Sequence, residues 1–383
     1  MLLPAYPHIP TPEECLPFAT ALLEWYNAHQ RPLPWREAPD AYRVWISEIM
    51  LQQTQMERGV AYFAQWMQRF PTLASLASAP LDDVLKAWEG LGYYSRAKNL
   101  HAAARHVQHN LGGVLPSTPE GMVALPGVGR YTAGAVCSIA HNLPVPAVDA
   151  NVERVFARLF DVDAPAKSKE AQAFFWQTAQ NAIPQGQARH FNQALMELGA
   201  LVCGKRAKCS ACPLERFCQA SYLDLTFERP ITGAKMVYVP LQIVTGVLVH
   251  RGRVFVQKRL DHGAWAGLWE FPGGSLEEGE TPEQGVLREF SEETDYTPQI
   301  LHPLGTVRHA YTRYRITLHA FVCTLPGNPQ GFLATALHAA TECRWATLEE
   351  MDALAFPAGH RKLLDTKKTH IIQALHNAGT EAL

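Results

Sequence analysis

Four of the eight cysteines in this 383-residue chain lie close together, with the spacing Cys203-x5-Cys209-x2-Cys212-x5-Cys218. Thiols grouped this closely are typical of a metal or cluster site, and a chain of this length does not need disulfide bridges. Structural zinc sites usually contain two CxxC pairs far apart, whereas this loop is compact and contains one such pair. The pattern therefore favours a 4Fe-4S cluster held by four thiolates, with zinc as the alternative.

A second group of chemical residues lies in the stretch GGSLEEGETPEQGVLREFSEETDY. On a helix, Glu289, Glu292 and Glu293 fall at positions i, i+3 and i+4, so they share one face. Carboxylates clustered in this way suit Mg²⁺ bridged to a diphosphate, although a solvated acidic face is the plainer alternative. The complete spacing resembles the Nudix box, except that Asp295 stands where that box has a glycine.

Two further acids have surroundings that could tune acid–base chemistry. Asp149 directly precedes an apolar-periodic helix, where a carboxylate caps the backbone N–H groups and the helix N-terminus favours its ionised form. Glu48 lies in a strongly apolar helical stretch, although a solvent-facing position is the usual one for a helical glutamate. If its face is instead buried, desolvation raises its pKa, and it can hold a proton near neutral pH.

The segment LPGVGRYTAGA predicts a tight turn between two helices. Gly127 and Gly129 allow backbone N–H groups to approach a ligand, and the helix that follows offers free N–H groups to a phosphate. This is the form of a helix–hairpin–helix DNA-binding element, although an ordinary interhelical turn would look similar.

Two kinds of pattern position these residues along the chain. Apolar residues recur at helical spacing from about residue 12 to residue 220, and from Val237 the runs alternate or are β-branched. We expect an all-α domain over residues 1–225 that includes the cysteine loop at 203–218. A linker at 226–236 and an α+β domain at 237–375 follow.

Bulk properties exclude several classes. The net charge of −2 gives no global attraction to nucleic acid, so any DNA contact must be local, as at Lys205, Arg206 and Lys208. The N-terminus does not resemble a signal peptide, and we find no apolar run of membrane-spanning length. We expect a cytoplasmic, nucleoid-associated protein that is a monomer and does not contact membranes.

Together these motifs resemble the base-excision DNA glycosylases of the endonuclease III superfamily, and within it the adenine DNA glycosylases. The resemblance covers nearly the whole chain. It is carried by LPWR, VWISEIMLQQTQ, KAWEGLGYYSRAKNLH, LPGVGRYTAG, VPAVDANVERV and the cysteine loop. One departure is that five residues separate Cys203 from Cys209 where the family has six.

The resemblance implies roles for the acids. Asp149 is expected to be the catalytic aspartate, Glu48 the general acid at adenine N7, and Asn151 a support for the carboxylate of Asp149. Tyr131 stands where strand-nicking relatives carry a Schiff-base lysine, so we expect a glycosylase that leaves the strand intact and orders its site partly through Tyr131.

The resemblance also implies contacts to double-stranded DNA. Gln52, Gln53 and Tyr93 are expected to fill the gap that the extruded base leaves in the base stack. Arg36 is expected near the pocket that receives this base.

The C-terminal domain is expected to resemble MutT and to read the 8-oxoguanine opposite adenine. Tyr311 and Thr312 match the family's reading loop, while Arg313 replaces its histidine. The well-preserved Nudix box leaves two alternatives. The domain is either a recognition domain with an inactive, inherited box or an active Mg²⁺-dependent hydrolase.

The function predicted from the sequence is removal of adenine opposite 8-oxoguanine or guanine. The rivals are a Nudix hydrolase of oxidised nucleotides with an appended DNA-binding module, and a strand-nicking enzyme for oxidised pyrimidines. Tyr131 argues against the second rival.

Overall fold

The computed structural model describes residues 2–37, 40–233, 236–327 and 335–380, with side chains described to residue 376. The chain forms two compact units. The helical unit comprises Met1–Ala79 and Asn99–Lys235, and the sheet unit comprises Pro80–Lys98 and Met236–Leu383. The short stretch Pro80–Lys98 therefore packs with the C-terminal sheet. The continuous division into 1–225, 226–236 and 237–375 stays a prediction.

Helices precede the first strand in the described residues, and none of the described helices is both long and apolar enough to cross a membrane. Their bounds are α1 Pro12–His29, α2 Pro34–Glu37, α3 Ala41–Leu51, α4 Met56–Arg69, α5 Leu73–Ser78, α6 Leu81–Ala87, α7 Ser95–Asn110, α8 Pro119–Val123, α9 Arg130–His141, α10 Ala150–Leu159, α11 Lys169–Ala182, α12 Ala188–Leu201 and α13 Gln219–Tyr222. Short 3₁₀ turns cover Cys209–Ala211 and Glu215–Phe217.

Local sequence signals start several of these helices. Thr11 and Glu14 form a reciprocal capping box at α1, and the carboxylate of Asp40 accepts the backbone N–H groups of Tyr42 and Arg43 at α3. Helix α10 buries an apolar stripe that includes Val152 and Phe156 in the core of the helical unit.

The described part of the sheet unit contains one six-stranded sheet, with α14 between β3 and β4 and with α15 and α16 after β6. Its strand order is β3-β2-β1-β5-β4, with β6 beside β2, and β1 and β5 run parallel while the other pairs are antiparallel. The bounds are β1 Val239–His250, β2 Arg253–Arg259, β3 Trp269–Glu270, α14 Pro282–Glu293, β4 Gln299–Tyr311, β5 Tyr314–Thr324, β6 Ala340–Ala346, α15 Leu348–Asp352 and α16 Ala358–Thr380.

Alternation along β1 places its side chains in two cores. Val247 and Val249 pack in a core with residues of α16, while Val244 and Leu248 pack in a core with residues of α14 such as Phe290. The sheet therefore lies between α14 on one face and α16 on the other. The predicted fold class, a helical glycosylase-type fold followed by an α+β Nudix-like fold, is confirmed.

Candidate active site

One cavity of about 740 Å³ opens in the helical unit. Its volume lies within the range of roughly 300–1,000 Å³ that is usual for small-molecule pockets. Helices α3, α9, α10 and α12 contribute to its wall. The residues predicted from sequence that line it are Arg36, Glu48, Gln52, Gln53, Tyr131, Asp149 and Asn151.

Asp149 is the N-cap of α10. Its Oδ1 accepts the backbone N–H groups of Asn151 at 2.9 Å and Val152 at 2.8 Å, and its Oδ2 accepts the Asn151 amide at 2.7 Å. Burial raises the pKa of Asp149 above its usual value, and these three hydrogen bonds oppose that rise. The carboxylate is thus held in one orientation toward the cavity.

Glu48 lies on a face of α3 that is almost wholly buried, and only 7% of the residue is exposed. Desolvation raises the pKa of Glu48 to about 7. The charge of Asp149 adds to the rise, and a hydrogen bond from Tyr131 opposes it. The face of α3 that carries Glu48 is therefore buried and does not face solvent. At neutral pH a substantial fraction of this side chain carries a proton.

Tyr131 lines the cavity and contacts Glu48 directly. Its hydroxyl lies 2.5 Å from Glu48 Oε2 and 3.3 Å from the sulfur of Met196. Burial raises the pKa of Tyr131 well above its usual value, so the phenol stays protonated and can donate to Glu48. Met196 was not predicted from the sequence.

Close helix packing fixes Asn151. A Cβ on Gly199 of α12 would lie 2.6 Å from the Cβ of Asn151, so only glycine permits this approach. Arg154 then donates to Asn151 Oδ1 at 2.7 Å and to the Cys203 carbonyl at 2.8 Å. A continuous chain of hydrogen bonds thus runs from Asp149 to the start of the cysteine loop.

An ion-pair cluster forms another wall of the cavity. Glu197 is 1% exposed and accepts hydrogen bonds from Arg31 at 2.8 Å and from Arg36 at 2.9 Å. Burial disfavours the charge of Glu197, but the two guanidinium groups outweigh it and lower the pKa to about 2. Arg36 lines the cavity, and its guanidinium donates hydrogen bonds to Glu197 and Gln193.

The two predicted glutamines lie at the end of α3. Gln52 donates to the Thr132 hydroxyl at 3.3 Å, and Gln53 has a left-handed backbone with φ of 58°. Non-glycine residues rarely adopt this conformation, and it recurs at ligand sites. Both residues line the cavity, whereas Tyr93, predicted to share their task, belongs to the sheet unit.

The predicted hairpin lies between α8 and α9. Gly127 has φ of 73°, and a Cβ there would lie 2.6 Å from Asn99, so glycine is required. Gly129 caps α9 without a side-chain hydrogen bond, and a Cβ on it would meet open space. Within the part of the chain that the structure describes, no side chain caps the first N–H groups of α9, which suits an external acceptor such as phosphate.

The four cysteines of the loop line one small pocket, and none of them forms a disulfide. Cys203 pairs with Ala207 in a short bridge, so the shorter first spacing still closes the loop. Arg158 donates to the carbonyl of Gly204 at 2.6 Å and approaches the Cys203 sulfur at 3.4 Å. Among the described residues, no group of three or more His, Cys, Asp or Glu has an arrangement that would hold a metal ion as it stands. Four free thiols around one pocket nevertheless fit a cluster by their donor chemistry.

The predicted carboxylates of the sheet unit do not all share one environment. Glu289 and Glu293 are buried, whereas the Glu292 side chain is 56% exposed and pairs with Arg288 at 3.0 Å. Burial, with the charge of Glu270, raises the pKa of Glu293 to about 8. The three-residue magnesium face predicted from helical spacing is therefore divided.

Asp295 closes α14 in an unexpected way. The helix ends at Glu293, and Thr294 continues with extended backbone rather than a left-handed turn. Asp295 then accepts the backbone N–H of Ala336 at 3.0 Å and lies 3.3 Å from the His338 ring. A side-chain anchor thus replaces the glycine turn that the Nudix box would supply.

The predicted reading loop is the tip of the β4–β5 hairpin. Tyr311 pairs with Tyr314, so Thr312 and Arg313 form a two-residue connection, and both are exposed. Tyr93 lies beside this tip, with its ring centre 6.2 Å from that of Tyr311. The structure thus groups Tyr93 with Tyr311 and Thr312 in the sheet unit.

Sequence reasoning missed several residues of these sites, namely Arg31, Arg154, Gln193, Met196, Glu197 and Glu270. Most carry no local motif, and only long-range packing brings them to the sites. Glu270 alone has a signal, because it lies two residues before the Pro-Gly-Gly run that leads into the Nudix box.

The fold and site define a DNA glycosylase of base-excision repair with a C-terminal Nudix domain. The family model described as HhH-GPD superfamily base excision DNA repair protein matches residues 46–180, and the NUDIX domain model matches residues 244–366. A thermostable thymine-DNA glycosylase of known structure superimposes with a TM-score of 0.50 at 29% identity, covering 54% of this chain and 95% of that one.

Curated relatives refine this class. The human adenine DNA glycosylase is 35% identical over 407 residues, covering 91% of this chain and 74% of its own. The Buchnera aphidicola (Baizongia pistaciae) adenine DNA glycosylase is 35% identical over 260 residues, covering 67% of this chain and 74% of its own. The chain belongs to the adenine DNA glycosylase family and is a DNA-binding enzyme, as the sequence predicted.

Proposed function

We propose that this enzyme hydrolyses the N-glycosidic bond of adenine opposite 8-oxoguanine or guanine and leaves the DNA strand intact. The observation that carries the proposal is the convergence of Glu48, Tyr131 and Asp149 on one cavity. The names of the relatives support adenine as the base. The choice of opposite base rests on the resemblance of the reading loop.

The chemistry follows from the two acids. Glu48 gives its proton to adenine N7, which lets the bond between C1′ and N9 break with its electron pair leaving on the base. The sugar is left as an oxocarbenium-like cation, and the Asp149 carboxylate stabilises it. Water then adds to C1′ and loses a proton, which gives free adenine and an abasic site. One acid and one carboxylate thus flank the reacting carbon, as in glycoside hydrolysis.

Two features support hydrolysis without strand cleavage. Tyr131 has no amine with which to form a Schiff base. Lys167, which lines the same cavity, lies 2.8 Å from each oxygen of Glu153. The amine is thus engaged by Glu153 rather than left free to attack the sugar.

We infer that DNA is held by the hairpin and the glutamines. The uncapped start of α9 at Gly127 and Gly129 suits a backbone phosphate. Gln52 and Gln53, at the edge of the cavity, suit the space that the extruded adenine leaves. In the sheet unit, Tyr311 and Thr312 suit contact with the opposite base, with Arg313 as an exposed donor to a guanine edge or a phosphate.

We further infer a 4Fe-4S cluster at Cys203, Cys209, Cys212 and Cys218. Bound there, the cluster would fix the loop that carries Lys205, Arg206 and Lys208 in a form that meets phosphates. A protein purified without oxygen should absorb near 400 nm. A colourless protein with full adenine release would contradict both the cluster and its role.

The test of the main proposal is adenine release under single-turnover conditions from duplexes with adenine opposite 8-oxoguanine, guanine or thymine. We expect the fastest release opposite 8-oxoguanine, slower release opposite guanine, and no intrinsic strand cleavage. Asp149→Asn should abolish release. Equal rates on all three duplexes would contradict the mispair preference, and nicking without heat or base would contradict simple hydrolysis.

A second candidate function is Mg²⁺-dependent hydrolysis of a nucleoside diphosphate derivative in the sheet unit. The observation that favours it is a set of buried oxygen donors formed by Glu270, Glu289, Glu293 and Gln257. Gln257 donates to Glu293 at 2.8 Å, and among the described residues its Oε1 has no hydrogen-bond partner. Oxygen donors suit Mg²⁺ by their chemistry, and the ion would supply charge neutralisation to a diphosphate. As they stand, the described carboxylates are not arranged to hold an ion, and Glu270 and Glu289 are paired with Arg259 and Arg288.

The second candidate is tested by nucleotide hydrolysis with and without Mg²⁺. Loss of a measured activity on Glu293→Gln, with adenine release unchanged, would support it. The absence of Mg²⁺-dependent hydrolysis in the wild type would leave the domain as a reader of the opposite base.

A further inference from the structure

Three aromatic rings meet on the sheet unit, and we call them the aromatic platform: Tyr93, Trp265 and Tyr311. The ring centres of Trp265 and Tyr311 are 4.8 Å apart, and those of Tyr93 and Tyr311 are 6.2 Å apart. All three residues are half-buried, so part of the platform faces solvent. They come from three separate parts of the chain: the α6–α7 connection, the β2–β3 connection and the end of β4.

The backbone at the platform is unusually strained. Tyr93, Trp265 and the adjacent Thr312 all have left-handed backbones, with φ of 48°, 55° and 49°. For a residue with a side chain this conformation costs on the order of 1–3 kcal/mol, and it persists at ligand sites. Trp265 lies outside the described hydrophobic cores, so core packing does not account for its strained position. We infer that the left-handed backbone of Trp265 serves to place its ring in the aromatic platform.

Cationic side chains lie near the platform, although Arg96 donates to the carbonyls of Leu91 and Gly92 and Lys98 lies close to Asp261. Arg313 is exposed next to Thr312, and the Arg96 guanidinium lies 5.9 Å from the ring centre of Tyr93. The Lys98 amine approaches Gly267, two residues after Trp265, and would lie 3.3 Å from a Cβ there. Aromatic rings beside cations are the usual means of binding an unpaired base together with its phosphates.

We propose that Trp265 stacks on the base opposite the excised adenine, as part of the aromatic platform. This inference rests on the proposed function, in which extrusion of adenine leaves its partner without a pair. Stacking of a base on an aromatic side chain contributes roughly 1–3 kcal/mol. Trp265 thus strengthens binding to the mispaired duplex and leaves the bond-breaking step to the helical unit.

The test measures the dissociation constant for a duplex that carries a non-hydrolysable adenine analogue opposite 8-oxoguanine. Trp265→Gly removes the ring and accepts the left-handed backbone, Trp265→Ala removes the ring alone, and Trp265→Phe keeps a smaller ring. We expect Gly and Ala to weaken binding about 5- to 150-fold and Phe to retain most of it. The adenine release rate at saturating enzyme should stay at the wild-type value.

A direct probe is 2-aminopurine placed opposite the adenine analogue, because stacking on a ring quenches its fluorescence. Wild type should quench it more than Trp265→Gly does. Trp25→Ala is the matched control, since Trp25 is a half-buried tryptophan of the helical unit that stacks on His29. It should change neither binding nor quenching.

Unchanged affinity in Trp265→Gly, equal losses in Gly and Phe, or equal quenching would each overturn the stacking role. A slower release rate at saturating enzyme would also overturn it, because Trp265 would then act on the chemical step. Wild-type protein that releases no adenine would instead refute the proposed function itself, so the two failures are distinguishable.

Discussion

Both units of the molecule bury glutamates with a raised pKa, yet the surroundings of these side chains differ. Glu48 faces a cavity of about 740 Å³, and its near partner is the neutral hydroxyl of Tyr131. Glu293 is bonded to Gln257 and to the Gly273 N–H, and its neighbour Glu270 is ion-paired with Arg259 at 2.6 Å. A raised pKa therefore does not by itself identify an acid catalyst. Whether a buried glutamate can act as an acid catalyst depends on its hydrogen-bond partners and on whether a substrate can reach it.

Removal of the proposed acid should produce the largest effect. Glu48→Gln keeps the shape of the side chain but has no acidic proton, so adenine release should fall about 10²- to 10⁴-fold. Glu293→Gln is the matched control, because it alters an equally buried glutamate in the other unit, and it should leave the rate unchanged. Single-turnover release from the duplex with 8-oxoguanine measures both. Full activity in Glu48→Gln would remove Glu48 from the mechanism.

Arg154→Gln should have the next largest effect. The variant breaks the hydrogen bonds to Asn151 and to the Cys203 carbonyl, and each bond to a charged donor contributes about 1.5–3 kcal/mol. We expect a lower melting temperature and an adenine release rate reduced by about tenfold or more, since Asp149 loses its indirect support.

The control for Arg154 is Arg189→Gln. Arg189 also donates to backbone carbonyls within the helical unit, those of Ile139 at 2.6 Å and Ala140 at 2.9 Å. Its loss should lower the melting temperature without changing the release rate at saturating enzyme. Equal kinetic losses in the two variants would show that Arg154 acts only through general stability.

The pH profile sharpens the comparison further. Release should slow as the pH rises through about 7, because Glu48 then loses its proton. The Tyr131 hydrogen bond lowers the pKa of Glu48, so Tyr131→Phe should move this limb to higher pH. Rates at saturating enzyme from pH 5 to pH 9 measure the shift. A limb that moves to lower pH would contradict the donor role of Tyr131.

The smallest effect is expected on the stability of the sheet unit. Burial raises the pKa of Glu293 from 4.5 to about 8, so ionisation is unfavourable in the folded state. This contribution to stability is fully present below pH 4.5 and is lost as the pH rises through about 8. Glu293→Gln should therefore melt at a higher temperature than wild type at pH 8. The expected difference is about 2–4 °C for each kcal/mol of added unfolding free energy. The two should converge near pH 5, as thermal melts at both pH values would show.

Local patterns predicted much of this molecule. The spacing of apolar residues, the GxG hairpin and the alternating strands all depend on neighbours in the sequence, and these elements form as expected. Asp149 was predictable as an N-cap because a cap needs only the start of a helix. The sequence could not show whether Glu48 is buried, because burial depends on how α3 packs in the tertiary structure.

Other features depend on contacts far apart in the sequence. Glu197 pairs with Arg31 across 166 residues of sequence, and no local motif near either residue predicts this pair. The parallel pairing of β1 with β5 and the grouping of Pro80–Lys98 with the sheet are likewise long-range. The left-handed backbones of Gln53, Tyr93 and Trp265 also run against local preference, so sequence reasoning could not find them.

Helix α10 holds Asp149 at its first turn, and Arg158 near its last turn grips the backbone of the cysteine loop. The distance from Asp149 to Arg158 along the axis is about 13 Å, at 1.5 Å per residue. The helix therefore connects the catalytic carboxylate rigidly to the residue that binds the cysteine loop. We therefore expect a displacement of the cysteine loop to move the carboxylate of Asp149 as well.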